Sequence, residues 1–349
     1  MAYSSIIKPS DYFNTILTTG GAKSITGVGF QPDWVWNKRR DDTSDHHIND
    51  AVRGSSKLLY TNQQSTEQTN ATFLTSFDSD GFTTGSGYWN NSASIVAWNW
   101  KANGQGSANS DGTITTTYTS ANQTAGFSIS LFTVSGSGNV TFGHGLNAKP
   151  KVVITKSTSH TTNWNVYHED TSTSPEDDYL YLNSSAVKAS ATDVWGDGMT
   201  TSVAGLGVNI GVSVGRTYVA YCFAEKNGYS KFGSYTGNAS TNGPFIYTGF
   251  KPAWVLIKTL DNQDGHWRLS DNKRGPFNPS HALLFPSSNV AENTTPTGNG
   301  NDIEYYSNGF KITTDNVYAN GSGNKLLYMA FAEEPLVANV GQGVPATAR

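Results

Sequence analysis

Three stretches of the chain place apolar residues on both faces of a strand. "PDWVWNK" (32–38), "PKVVITK" (150–156) and "PAWVLIK" (252–258) each open on proline, carry valine fourth and close on lysine. Successive side chains of a strand point to opposite faces. One face then bears Trp34, Trp36 and Lys38, matched by Val152, Ile154 and Lys156 and by Trp254, Leu256 and Lys258. Val35, Val153 and Val255 mark the other face. Two apolar faces predict an inner strand of a packed sandwich. The proline, lacking an N–H, suits the first strand position. Trp34, Trp36, Val35, Val153, Val255 and Trp254 are therefore expected in the core. A sugar-stacking floor would need flat rings at every copy, but the second copy has Val152 and Ile154, an exchange that packing tolerates.

The match extends around these strands in one order. Upstream, "FNTILTTGGAKSITGVGF", "FSISLFTVSGSGNVTFGHGL" and "SKFGSYTGNASTNGPFIYTGF" each read as strand, Gly-rich turn and strand. Downstream come "HHIND", "NWNVYHED" and "HWRLSDN", then "KLLY", "YLYLN" and "ALLFP". "DGFTT", "DGMTT" and "NGFKITT" place Gly81, Gly198 and Gly309 alike, and "IVAWNW", "YVAYCF" and "YMAFAE" close the units. Such internal periodicity predicts an all-β chain of three tandem, homologous, β-sandwich-like units of roughly 100 residues. Their bounds fall at 1–110, 111–227 and 228–335, with an extended tail at 336–349. Residues 101–124 read as a linker or hairpin insertion, and 225–230 as a tight join. The pattern leaves open whether the units stack in a line or around a common axis.

Composition supports the β class. Charged residues are 14% and aromatic residues 12%, with Gly, Ser, Thr and Asn abundant; rings in this number supply enough apolar area to exclude disorder. A net charge of −4 with no basic run argues against nucleic acid as a partner, because phosphate neutralisation needs clustered Lys and Arg. No run reaches the ~18 apolar residues of a membrane span, and the opening "MAYSSIIKPSDYFNT" lacks the features of a secretion signal. Synthesis in a cytoplasm is expected. The single cysteine, Cys222, reads as a buried, inert thiol.

Candidate chemistry is sparse. Lys38, Lys156 and Lys258 are the polar constant of the repeated strand: either they snorkel or pair with a carboxylate at the sheet rim, or they contact a ligand once per unit. Asp50 and Arg53 in "DAVRG", and Asp271 and Arg274 in "DNKRG", suit turns closed by a structural ion pair; the middle unit lacks the arginine. Tyr88 and Trp89 of "SGYWNN", and Trp164 in the 157–168 loop, are candidate ligand contacts, since aromatic faces with polar neighbours recognise sugars. The acidic loops at 41–45 and 261–265 could hold Ca²⁺ but lack the spaced ligand pattern, so solvated loops are expected. No histidine falls in a metal motif, and no phosphate loop, dinucleotide fingerprint or nucleophile elbow occurs. No catalytic residue, metal or cofactor is predicted.

Taken together, "TGVGFQPDWVWNK", "SFDSDGFTTG", "IVAWNWKANG" and "GHGLNAKPKVVITK" resemble an uncharacterised module of tailed bacteriophages of marine bacteria, found in virion structural and tail-fibre-like proteins. The resemblance covers about residues 6–335. It implies a lectin-like β-sandwich on the particle exterior, partnered by other virion proteins and by host cell-surface glycan, and it brings no catalytic residues. The expected function is a non-enzymatic tail-fibre or adhesion component. Capsid decoration is the alternative, and a polysaccharide-degrading enzyme a third. Tail fibres of short-tailed phages usually carry an anchoring region ahead of the receptor-binding part, whereas here the first unit begins by "SDYFNT".

Overall fold

The structure, a computed structural model, describes residues 4, 6–196, 198–210, 212–294 and 302–336; nearly all of the tail expected at 336–349 lies outside them. The fold is all-β. One strand order recurs in three large antiparallel sheets: an opening strand, a closing strand, a central strand and a flanking strand, side by side. In the first sheet these are Phe13–Thr19, Ser94–Trp100, Trp34–Arg39 and His47–Asp50; in the second, Phe127–Thr133, Thr217–Phe223, Val152–Ser157 and Asn165–His168; in the third, Ser230–Thr236, Lys325–Pro335, Phe250–Thr259 and Arg268–Asp271. The "WVWNK" family forms the central strands, hydrogen-bonded on both sides.

The two apolar faces of each central strand serve different cores. Val35 packs with Ile25, Leu74 and Phe82 beneath a small sheet of Lys23–Ile25, Gly81–Thr84 and Leu74–Asp78. Val153 does the same with Phe142 and Leu206, and Val255 with Ile246, Ile303 and Phe310. The opposite faces meet. Trp34, Trp36, Val152, Ile154, Trp254 and Leu256 belong to one cluster shared by all three sheets. Trp34 stacks on Tyr221 of the second sheet at 4.8 Å between ring centroids, and Trp100 meets Trp254 and Phe331 of the third edge-on at 5.6 Å each. The units are therefore arranged around a common aromatic centre, not in a line, and each large sheet is buried on both sides.

The expectation for 101–124 narrows to its hairpin alternative, and that for the glycine block changes. Residues 101–124 are partly structured: Tyr118–Asn122 pairs with the second opening strand, and Asp33 accepts the backbone N–H of Ala102 (2.7 Å) and of Gly104 (3.1 Å). The glycine block also fails in the middle unit. Phe82 and Phe310 pair with Ile25 and Ile246, and Gly81 and Gly309 precede them; a β-carbon on either would lie 1.9 or 2.1 Å from the carbonyl oxygen opposite. In the second unit the equivalent strand is Val203–Leu206, with Val203 in the glycine's place. Gly198 instead lies in the preceding turn at φ 76°. The expected match followed similar letters, whereas the register belongs to "VAGL".

One register position joins the sheets to one another. Asp50, His168 and Asp271 pair with Trp34, Val152 and Trp254, the first apolar inward residue of each central strand. Asp50 accepts from Arg53 Nε at 2.6 Å and from the hydroxyl of Tyr221, in the second sheet, at 2.7 Å. Asp271 accepts from Arg274 Nε at 2.5 Å and from the indole N–H of Trp98, in the first sheet, at 2.9 Å. Tyr221, Trp98 and Met329 are register equivalents on the closing strands. Methionine cannot donate. The middle unit accordingly has histidine, whose Nε2 lies 3.2 Å from the carbonyl oxygen of Tyr328 in the third sheet, while Nδ1 accepts from the N–H of Asp170. First bonds to second, second to third and third to first. The missing arginine of the middle unit follows, since a neutral imidazole needs no counter-ion.

The arginines are bound on every side. Arg53 also donates to Ile48 O and Glu67, and Arg274 to Leu269 O and Glu292, with Arg274 over the Trp98 ring at 5.3 Å. Breaking a buried pair by removing one partner costs far more than the pair contributes intact. Arg274→Met, which strands the Asp271 carboxylate and leaves Glu292 to Arg40 alone, is expected to lower stability by about 3–5 kcal/mol, and Tyr221→Phe by about 2 kcal/mol. Because the centre is shared, tryptophan fluorescence and far-UV circular dichroism should report one coincident denaturant transition; separate transitions for separate units would contradict this packing.

Candidate functional site

The three repeated lysines do not face a ligand. Each is fully buried. Lys156 Nζ donates to the carbonyl oxygens of Ser157 (2.9 Å) and of Gln64 (3.1 Å), the latter from the first unit. Lys258 donates to Gly265 O at 2.7 Å and to Ser185 O of the second unit at 3.3 Å, and Lys38 to Arg39 O and Asp42 O. The rim contact, the snorkel and the carboxylate pair all give way to one arrangement: an ammonium among backbone carbonyls, which its three donors draw together. Burial lowers each of the three to about 8.

Two of the three aromatic candidates are likewise internal. Tyr88 is fully buried and donates to Asn37 Oδ1 at 2.7 Å. Trp164 is fully buried in the common centre, and its indole N–H donates to Tyr60 O of the first unit at 2.9 Å, as Trp267 does to Tyr181 O. Neither is available as a surface ligand contact. The acidic loop at 41–45 is also committed: Asp41 and Asp42 pair with Arg39, and Asp45 accepts from Asn62 and Gln63. Among the described residues no group of three His, Cys, Asp or Glu side chains could hold a metal ion.

Trp89 is different. It is partly exposed and has φ 44°, a left-handed conformation that bulky residues seldom adopt. Its indole lies on the His47 ring at 4.8 Å and 23° between planes, and edge-on to Phe73 at 5.1 Å. The turn beneath it admits only glycine. A β-carbon on Gly20 would lie 2.1 Å from Asn90 O, and one on Gly21 1.9 Å from Asn91 Oδ1. The N–H of Gly21 donates to Tyr88 O at 2.7 Å. This close approach holds the 88–92 loop against the Gly20–Gly21 turn and leaves an open depression of about 640 Å³. Gly21, Ala22, Ser86, Trp89, Asn90, Asn91 and Ser92 line it. The lining combines an aromatic ring with carboxamides and hydroxyls and has no ionisable side chain, so it suits a neutral, hydroxyl-rich ligand.

Other surface rings escape the sequence reading. Phe245 and Tyr247 are about half exposed. The signal was present: the register equivalents of Phe245 in the other units are Ser24 and Thr141.

Buried imidazoles set the response to acid. Burial lowers His168 to about 4 and His47 to about 3, and holds His46 well below its ordinary 6.5. The unfolded chain binds protons on these rings near pH 6.5, whereas the folded chain does not until near pH 4. Their stabilisation is thus fully present above pH 6.5 and is lost as pH falls toward 4. For His168 this amounts to about 3 kcal/mol. Denaturant midpoints should fall between pH 7 and 4.5, and His168→Gln, which keeps a donor for Tyr328 O, should flatten the profile; an unchanged slope in that variant would refute the assignment.

No curated protein matches the chain, and no solved structure does. A family model, that of a domain of unknown function (DUF7483), matches residues 8–335, which takes in all three large sheets, the lysine cages and the Trp89 depression. The chain belongs to the DUF7483 family.

Proposed function

We propose that this protein is a non-enzymatic component of the exterior of a bacteriophage particle, a tail-fibre or adhesion component that touches host-surface glycan. The Trp89 depression carries this reading. Backbone strain in a non-glycine residue persists only where its surroundings over-determine it, and such residues gather at ligand sites. Here the strain displays an indole beside two asparagine side chains on an otherwise firmly packed scaffold. A rigid sandwich with a ligand shelf on a loop is a binding architecture.

The disposition of carboxylates supports a non-catalytic reading. Glycoside hydrolysis needs two carboxyl groups flanking a cleft. Asp50 and Glu67 share Arg53, and Asp271 and Glu292 share Arg274, with Glu67 partly exposed and the other three carboxylates buried. Their charge is spent on holding sheets together.

Binding is read most directly by a glycan array of host envelope saccharides probed with the whole chain. Trp89→Ala should weaken a positive signal about tenfold or more, with the circular dichroism spectrum unchanged. Loss of signal only when the protein unfolds, or no signal on any saccharide together with normal adsorption of particles lacking the protein, would end the adhesin reading. Labelling the chain in intact particles distinguishes tail from capsid.

A further inference from the structure

The outer layer of the third unit carries a surface that its two counterparts lack. In the small sheet of Phe245–Tyr247, Gly309–Ile312 and Ile303–Tyr306, alternate residues point inward: Ile246, Phe310 and Tyr305 are buried in the unit's own core. Their neighbours form two rows on the outer face. Tyr247, Gly309 and Tyr306 lie in register across the three strands, and so do Phe245, Lys311 and Glu304. Gly309 has no side chain to interrupt its row, and the Phe245 ring leans into the space, 2.9 Å from where a β-carbon on Gly309 would stand. Phe245 meets Tyr306 edge-on at 5.8 Å. The result is a floor of three rings, with Phe245 46% and Tyr247 53% exposed.

The fold does not ask for these rings. The first unit has Ser24 and Thr83 in the row of Phe245 and Lys311, and the second has Thr141 and Gly205. Both pack their inner faces as the third does. Exposed aromatic side chains that packing does not require mark a contact surface.

Charge selects the occupant. Lys231 Nζ sits 5.7 Å from the centre of the Tyr247 ring, and Lys311 Nζ reaches Asn242 Oδ1 at 2.6 Å on the same face. Glu304, in the row of Phe245 and Lys311, accepts the Tyr306 hydroxyl at 2.5 Å. Two ammonium groups and one carboxylate therefore border the aromatic floor, which leaves it net positive. A pyranose ring stacks its C–H face on such a floor, and an anionic substituent at its edge meets a lysine.

We propose that Tyr247, Phe245 and Tyr306, with Lys231 and Lys311, form a binding site for an acidic saccharide, one whose sugar rings carry carboxylate groups. The site is separate from the Trp89 depression, in another unit and of opposite selectivity: charged ligand against neutral.

Titration calorimetry of the whole chain with a polyuronate, and with the same polymer after reduction of its carboxylates to alcohols, tests this. The uronate should bind, and reduction should weaken it about tenfold. Tyr247→Ala should weaken the uronate about tenfold or more; Lys311→Met should weaken it and narrow the preference over the reduced polymer, and adding Lys231→Met should remove that preference. Trp89→Ala should leave uronate binding unchanged, which keeps the test independent of the adhesin reading. Absence of uronate binding, or binding that survives both Tyr247→Ala and Lys311→Met, overturns the proposal. So does a sedimentation shift from dimer to monomer in Tyr247→Ala, because the rings would then face a second copy of this chain.

Discussion

A carboxylate sunk between two sheets must be satisfied on both sides or not be there at all. Asp50 and Asp271 meet this condition with an arginine from their own turn and a donor from the neighbouring sheet. Much else depends on that constraint. It sets how far each flanking strand penetrates the common centre and orients Tyr221 and Trp98 within it. It also makes the contact directional, so that each of the three sheets bonds to the next around the common centre. Where the neighbour offers Met329 in place of a donor, the acid is gone and His168 takes a backbone carbonyl instead. The one position that departs from the pattern obeys the same rule of satisfaction.

Much of this was legible along the chain, and the part that was not shares one cause. Alternation of apolar residues identifies the central strands and assigns Trp34 and Val35 to opposite faces, because a strand's period is local. Proline, valine and lysine recur because each has a local duty. What Trp34 faces is not local. Nothing in "PDWVWNK" states that Tyr221, far along the chain, lies across from it. The lysines mislead for the same reason: a charge at a strand end suggests water, whereas the carbonyls that enclose Lys156 and Lys258 come partly from the preceding unit. Tyr88 and Trp164 read as surface rings because they stand in polar loops, yet each uses its one polar atom to enter a core. Gly198 shows the opposite error, similar letters without similar register.

The candidate binding surfaces follow from the division into layers. Residues on the inner faces of the large sheets answer to two neighbours at once, and change there is constrained by both. The small sheets and their loops answer to one neighbour. There the units differ: Trp89 on its strained turn in the first, the Phe245–Tyr247 floor in the third. Three sheets of one strand order share a centre and differ at their rims.

The join between the second and third units has its own implication. A β-carbon on Gly228 would come within 2.6 Å of the side chain of Ser4 and 3.5 Å of that of Pro335. The threads that enter the first unit, pass between the second and third, and leave the third thus converge on one spot. The inter-sheet bonds form a closed ring, which does not depend on the order in which the chain visits the units. Reconnecting the chain so that the third unit precedes the first would leave every inter-sheet bond between the same pair of partners.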